Sequence, residues 1–268
     1  MSDGKQPEMS ERLAFAIETA RGAGGVAMRW FQSDGLVAEG KADGSPVTQA
    51  DRAAERFVRD AIVRAYPEDG VIGEEYDAIE SKSGRTWVVD PIDGTMSFVH
   101  GVPLFGTLLA CMEDGESTIG VIFMPALDEC VGAEVGRGCW WWRRGQTAER
   151  ACVTEHASMD GAMLLSTSFE YYDSDARKSA WTGMNGLGAH TRGWSDCYAF
   201  VLLATGRAEA VVEPALMNLW DIACVPVIVG EAGGDWSDIS GTKDLGTGSM
   251  VASNGRVHGA VLEAMNGR

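Results

Sequence analysis

A chain of 268 residues, 45% of them hydrophobic, is long and apolar enough for one large α/β domain or two smaller ones. A formal net charge of −17 argues against nucleic-acid backbones and anionic membranes as general partners. No stretch approaches a membrane span, and Asp3, Lys5, Glu8 and Glu11 leave no apolar signal-peptide core, so a cytoplasmic protein is expected.

Residues 1–9 read as a loose polar leader. Ser10 offers a cap to a first helix, in which Leu13, Ile17, Ala20 and Met28 recur at roughly helical spacing. Gly22, Gly24 and Gly25 either weaken that helix or let it approach a neighbour closely. Residues 41–46 are a polar loop. Thr48 then caps a second helix, whose Ala50, Ala54, Phe57, Ala61 and Ala65 make an apolar stripe. Asp51 stands three residues after Thr48, where its carboxylate can reach back to the cap. Tyr66-Pro67-Glu68-Asp69-Gly70 ends the helix, and Val71-Ile72 and Trp87-Val88-Val89 are short strands. Further strands are expected over 105–112, 117–123 and 129–134. The run Trp140-Trp141-Trp142 fits an edge strand packing on both faces better than a ligand platform, because consecutive strand residues point opposite ways.

A second half starts near residue 152. It holds a strand over 163–168, a helix or loop over 171–181, a helix over 197–205 and a strand over 208–213. A helix over 221–231, a strand over 250–253 and a closing helix from about 257 to 265 complete it. Strands and helices alternate without repeats or linkers, as in α/β and α+β folds. The six cysteines form no CxxC pair and no zinc-like spacing with histidine, and read as reduced core thiols.

Three stretches carry chemistry. Trp87-Val88-Val89-Asp90-Pro91-Ile92-Asp93-Gly94-Thr95 is a strand running into a tight turn, which can aim two carboxylates and a carbonyl at one point. Hard divalent cations take such oxygen ligands, although Asp-Pro and Asp-Gly are also ordinary turn formers. Gly73-Glu74-Glu75 puts acids at another strand end. Asn218-Leu219-Trp220-Asp221 opens an apolar helical run with Asp221 in its first turn. Followed by Glu231-Ala232-Gly233-Gly234, these pieces resemble, in order and over most of the chain, the inositol monophosphatase-like superfamily of metal-dependent phosphatases.

The resemblance implies a layered αβαβα sandwich in one compact unit, usually dimeric. Its metal-site half would span about 10–150 and its substrate half about 151–268. It implies that Glu74, Asp90 and the Ile92 carbonyl hold one Mg²⁺, and that Asp90, Asp93 and Asp221 hold a second. A third, weaker ion near Glu74 is left open. Water activated by metal would attack the phosphate directly, oriented and deprotonated by Glu74 and the Thr95 hydroxyl. The backbone N–H groups of Gly94 and Thr95 would hold phosphate oxygens, and water on the Asp221 side would protonate the leaving oxygen. Asp51 lies near the metals in that family, beside its structural role as a cap. Glu75 reads as a solvated or supporting acid, and His100, His156, His190 and His258 are assigned no role.

The segment Arg192-Gly193-Trp194-Ser195-Asp196-Cys197-Tyr198 and the stretch from Gly94 to Leu108 resemble the histidinol-phosphatase branch of that superfamily, although Ser195 and Met96 depart from its usual residues. The expected substrate is then L-histidinol phosphate, a small phosphate monoester with cationic groups that Asp196 and Glu213 could accept. Asp93, Gly94, Thr95 and Asp221 complete the expected substrate surface. Arg192 is read equally as a phosphate ligand, within a dimer interface, or as a surface ion pair. Inositol 1-phosphate or a range of sugar phosphates is the alternative substrate class, and a non-catalytic metal- or phosphate-binding regulator is the alternative of a different kind.

Overall fold

Both helix starts form as the caps dictate. In the computed structural model, which describes residues 9–40, 46–194 and 196–267, α1 (Glu11–Ala27) begins with Leu13 N–H donating to Ser10 Oγ at 3.0 Å. The polar leader up to residue 8, most of the 41–46 loop and Ser195 lie outside the described residues. β1 (Ala38–Gly40) and β2 (Pro46–Thr48) form a small antiparallel ribbon that leads into α2 (Gln49–Ala65). There Ala50 N–H donates to Thr48 Oγ1, and Thr48 N–H and Oγ1–H both donate to Asp51 Oδ2, at 2.8 and 2.6 Å.

The apolar stripe expected on α2 is out of phase with the buried face. Phe57 is 40% exposed and Ala65 is exposed, whereas Ala50, Asp51, Ala54, Glu55, Val58 and Ile62 are buried. Two acids occupy the inner face, so a count of apolar positions alone rotates the helix wrongly. Phe57 instead lies over α1, where a Cβ on Gly22 would come within 2.4 Å of its ring. The glycines in the last turns of α1 thus permit close approach at Gly22 and Gly24, while Gly25 faces open space.

The first sheet runs in chain order: β3 (Gly70–Gly73), β4 (Arg85–Asp93), β5 (Gly106–Glu113), β6 (Glu116–Met124), β7 (Glu129–Glu134), β8 (Gly138–Arg143) and β9 (Glu149–Arg150). β3 is parallel to β4 and every other pair is antiparallel. Between β4 and β5 sits the short helix α3 (Thr95–Val99). The three tryptophans behave as alternation requires: Trp142 packs with α1 and its neighbours, and Trp141 packs on the opposite face. Their strand is not the edge, however, since β9 pairs with Trp140 and Trp141.

The second half contains β10 (Met163–Leu165), α4 (Asp175–Asn185), β11 (His190–Arg192), α5 (Cys197–Ala204) and β12 (Ala210–Glu213). It continues with α6 (Leu219–Ile222), α7 (Val225–Glu231), β13 (Asp235–Ser237), β14 (Met250–Ser253) and α8 (His258–Met265). The sheet order is β11-β10-β12-β14-β13. Two of these strands, β11 and β13, were not expected; at three residues each they carry no readable period. β10 ends sooner than expected, and α4 is displaced toward the C-terminus because Ser174 caps it. The single helix expected over 221–231 is broken into α6 and α7. Pro226 lacks an N–H, and its ring would clash with the carbonyl four residues back at Ile222.

Side-chain alternation along the strands builds the layers. Trp87, Val89, Leu109 and Val121 face α1 and α2, with Leu13, Ala16 and Val58. Val88, Leu108, Ala110 and Ile122 face a middle layer of α5 and α7, whose Phe200, Val225 and Ile228 also meet Leu165, Val211 and Ala252 of the second sheet. The other face of that sheet, with Leu164, Ala210, Val212 and Val251, packs on Met184 of α4 and Val261 of α8. The result is an αβαβα sandwich. The end of β4 and the beginnings of α5 and α6 converge at one point in it.

Candidate active site

In a flat strand Asp90 and Asp93, three residues apart, would point to opposite faces. The pairing of β4 with β5 shifts between them: Asp90 is opposite Leu108 and Asp93 opposite Gly106, leaving Pro91 and Ile92 facing one residue. This bulge turns both carboxylates to the same side. The turn is fixed by Ile92 N–H donating to Asp90 Oδ1 at 3.0 Å, Thr107 Oγ1–H to the Pro91 carbonyl at 2.9 Å and Thr95 Oγ1–H to the Ile92 carbonyl at 3.0 Å. Gly94 follows at φ +82°, a left-handed conformation that suits glycine.

Asp221 joins them from α6, where Asn218 N–H donates to its Oδ2 at 2.6 Å and anchors the first turn. Carboxylate oxygens of Asp90, Asp93 and Asp221 lie within 4.8 Å of one another. Asp90 is buried, and Asp93 and Asp221 are half-buried. Burial, then the charge of Glu74, then those of Asp93 and Asp221, push the Asp90 carboxyl well above its usual range. Asp93 is raised by burial and by Asp196 and Asp221, and Asp221 is pushed up to about 6, chiefly by burial. Asp51 is also pushed up to about 6 by burial. Its Oδ1 is buried without a hydrogen-bond partner, with the charges of Glu75 and Glu74 bearing on it. Such a cluster fits divalent cations on two grounds: the donors are all oxygen, as hard ions require, and a cation would relieve the repulsion that raises these carboxyls.

The substrate half meets this cluster across the α5 start. Cys197 N–H donates to Asp93 Oδ2. Asp196, at φ +53°, brings its Oδ2 to 3.1 Å from the place a Cβ on Gly94 would occupy. Glu213, at the end of β12, is 1% exposed; its Oε1 accepts Thr167 N–H and Oγ1–H at 2.9 and 2.7 Å, while Oε2 has no partner. Burial above all pushes this carboxyl up to about 8. Thr167 Oγ1 also accepts Asp196 N–H at 3.2 Å, so one threonine ties the two acids together. Arg192 is exposed and donates to the Thr191 carbonyl. It lines a cavity of about 250 Å³ whose wall includes Thr167.

The structure therefore gathers Asp90, Asp93, Asp221, Gly94 and Asp196, with Glu74 close enough to act on the cluster electrostatically and Glu213 joined through Thr167. His100 is exposed at the end of α3 with its Nδ1 2.8 Å from the Met96 carbonyl, and His258 is buried between Ser237 and Ser253, so both stay outside the chemistry. Thr167, Tyr171 and Glu55 escaped the sequence reading. Tyr171 is half-buried and feels the charges of Glu213, Asp196, Asp93 and Asp221. Nothing in the sequence around Thr167 and Tyr171 marks them. For Glu55 one signal was available, the arginine four residues on.

Known proteins are similar to this chain over most or nearly all of its length. A histidinol-phosphatase of Chlorobaculum parvum is 37% identical over 97% of this chain and 98% of its own length. One of Mycobacterium tuberculosis is 37% identical over 84% of this chain and 86% of its own. The solved inositol monophosphatase of Thermotoga maritima superposes with a TM-score of 0.83 at 33% identity, covering 96% of this chain and 98% of that one. With the inositol monophosphatase family model matching residues 8–267, the chain belongs to the inositol monophosphatase family.

Proposed function

We propose that this chain is a Mg²⁺-dependent phosphomonoesterase that hydrolyses L-histidinol phosphate to L-histidinol and inorganic phosphate. The observation that carries the substrate is the pair of acids beyond the metal cluster. Asp196 stands against the Gly94 turn and Glu213 lies buried with one oxygen unpartnered, both tied to Thr167. A leaving group with an ammonium and an imidazole supplies charge-assisted donors for both, and a cation beside Glu213 would draw its raised carboxyl into the ionised form. The two histidinol-phosphatases at 37% identity support the same choice.

In this reading Glu74, Asp90 and the Ile92 carbonyl hold one ion, and Asp90, Asp93 and Asp221 hold another. When bound, such ions neutralise the phosphate, acidify water and stabilise the departing alkoxide. The chain does the rest. Glu74 accepts the proton of the attacking water, and the Thr95 hydroxyl, held by its bond to the Ile92 carbonyl, orients that water. The N–H groups of Gly94 and Thr95 bind phosphate oxygens, and Gly94 keeps the approach clear of a Cβ. Asp196 and Glu213 orient the leaving group, and solvent on the Asp221 side returns the proton. The two halves act as one unit, consistent with the core they share. A cytoplasmic homodimer is the assembly this reading carries, with Arg192 near its interface.

Inositol 1-phosphate is the second reading, favoured by Glu213, which can accept from hydroxyls as well as cations. Phosphate release with Mg²⁺ from the two substrates at matched concentration decides between them. A preference of about 10²-fold for L-histidinol phosphate, roughly 2.7 kcal/mol of differential transition-state binding, supports the proposal. Equal rates would replace it with a general phosphatase, and no release from either would remove the substrate.

A further inference from the structure

The buried face of α2 carries an ion pair that the chemistry above does not use. Glu55 is 0% exposed and lies one helical turn after Asp51. Its Oε1 accepts Arg59 Nε–H at 2.7 Å, and its Oε2 accepts the backbone N–H of Glu75 at 2.7 Å. The same carboxylate presses on Gly73, where a Cβ would come within 2.2 Å of Oε1. Glu74 is thus contacted on both flanks: a Cβ on the residue before it would displace the Glu55 carboxylate, and the N–H after it is bound to that carboxylate. Arg59 then donates to the Tyr76 and Asp77 carbonyls, each at 2.8 Å, fastening the chain that leaves the site.

We propose that Glu55 and Arg59 are positioning residues that clamp the Gly73–Asp77 turn to α2 and so aim the Glu74 carboxylate at the metal cluster. The proposal rests on the reading of Glu74 as a metal ligand. A backbone turn at a strand end, exposed to solvent on one side, has many conformations of similar energy. The clamp selects one and sets it relative to Asp51 on the same helix. Burying a carboxylate is costly unless its partners are in place. Here the partners are Arg59 and the backbone of the site itself, so the structural cost is tied to the geometry of the site. Outer hydrogen bonds that orient metal ligands commonly change metal affinity by about 10- to 100-fold.

The test is calorimetric titration of the full chain with Mg²⁺ alone, in phosphate-free buffer, alongside unfolding temperature without metal. Glu55→Gln, Arg59→Gln, Glu74→Gln and the Glu55→Gln/Glu74→Gln pair are compared with wild type. Either clamp variant weakens Mg²⁺ binding about tenfold or more, and in the pair the loss is no greater than for Glu74→Gln alone, because both act through one carboxylate. Arg59→Gln keeps the test open where Glu55→Gln fails to fold. Clamp variants that melt earlier but bind Mg²⁺ as wild type does, or losses that add in the pair, overturn the positioning role while leaving Glu74 a ligand. Unchanged binding by Glu74→Gln overturns the ligand reading and the clamp with it.

Discussion

Replacing Glu213 with glutamine separates the stability of the fold from its use. The carboxyl is 1% exposed and pushed from 4.5 to about 8, so without substrate or metal the folded chain binds a proton here that the unfolded chain releases from about pH 4.5 upward. A raised carboxyl contributes stability that is full below its unfolded value and lost as pH rises toward its folded one. Each pKa unit corresponds to about 1.4 kcal/mol, and even a fraction of this shift amounts to roughly 2 kcal/mol. Glutamine still accepts the two Thr167 bonds through its Oε1 but never ionises. Glu213→Gln and wild type should therefore melt together near pH 5. At pH 8.5, without metal, the variant should melt about 4–8 °C higher, from about 2–4 °C per kcal/mol for a chain of this size. Scanning calorimetry in EDTA across that range measures the difference, and the carboxylates of the metal cluster cancel in the comparison. The same substitution should cost about 10- to 100-fold in kcat/KM for L-histidinol phosphate, as loss of one charge-assisted bond. Melting curves offset equally at both pH values would refute the account of Glu213 as a buried, proton-binding acid.

Asp93→Asn should keep near-wild-type circular dichroism, since asparagine can still accept Cys197 N–H, yet lose about 10²-fold or more of Mg²⁺-dependent phosphate release; near-normal turnover would sink the ligand assignment. Asp196→Ala should raise KM for L-histidinol phosphate more than for inositol 1-phosphate, and equal changes in steady-state assays on both would remove Asp196 from recognition. His258, buried between Ser237 and Ser253, has its pKa lowered by burial, so the unfolded chain takes up its proton first and this contribution to stability is lost as pH falls below about 6.5. NMR titration of the imidazole should place its protonation below 6.5, and a midpoint above that value would reverse the sign.

The sequence alone determined the caps, the presence of the acidic Asp90-Pro91-Ile92-Asp93 turn and most strands, because each is written in residues close together along the chain. Ser10 and Thr48 bond residues within three positions, and Trp87-Val88-Val89 alternates between two apolar layers as its run of hydrophobic residues implies. Asp90, Asp93 and Asp221 were legible as candidate metal ligands from residue type and motif resemblance, and the fold brings their carboxylate oxygens within 4.8 Å of one another. Tertiary structure decided what depends on partners far along the chain. The bulge that turns Asp90 and Asp93 to one side is set by pairing with β5. The buried face of α2 is set by Glu55, whose carboxylate is satisfied by the backbone of Glu75, twenty residues away. Thr167 links Asp196 and Glu213 only because strands β10 and β12 lie side by side beneath the start of α5. Local sequence carries propensity and pattern, but a buried polar group is placed by whichever distant donors satisfy it, and only the folded chain brings those donors to it.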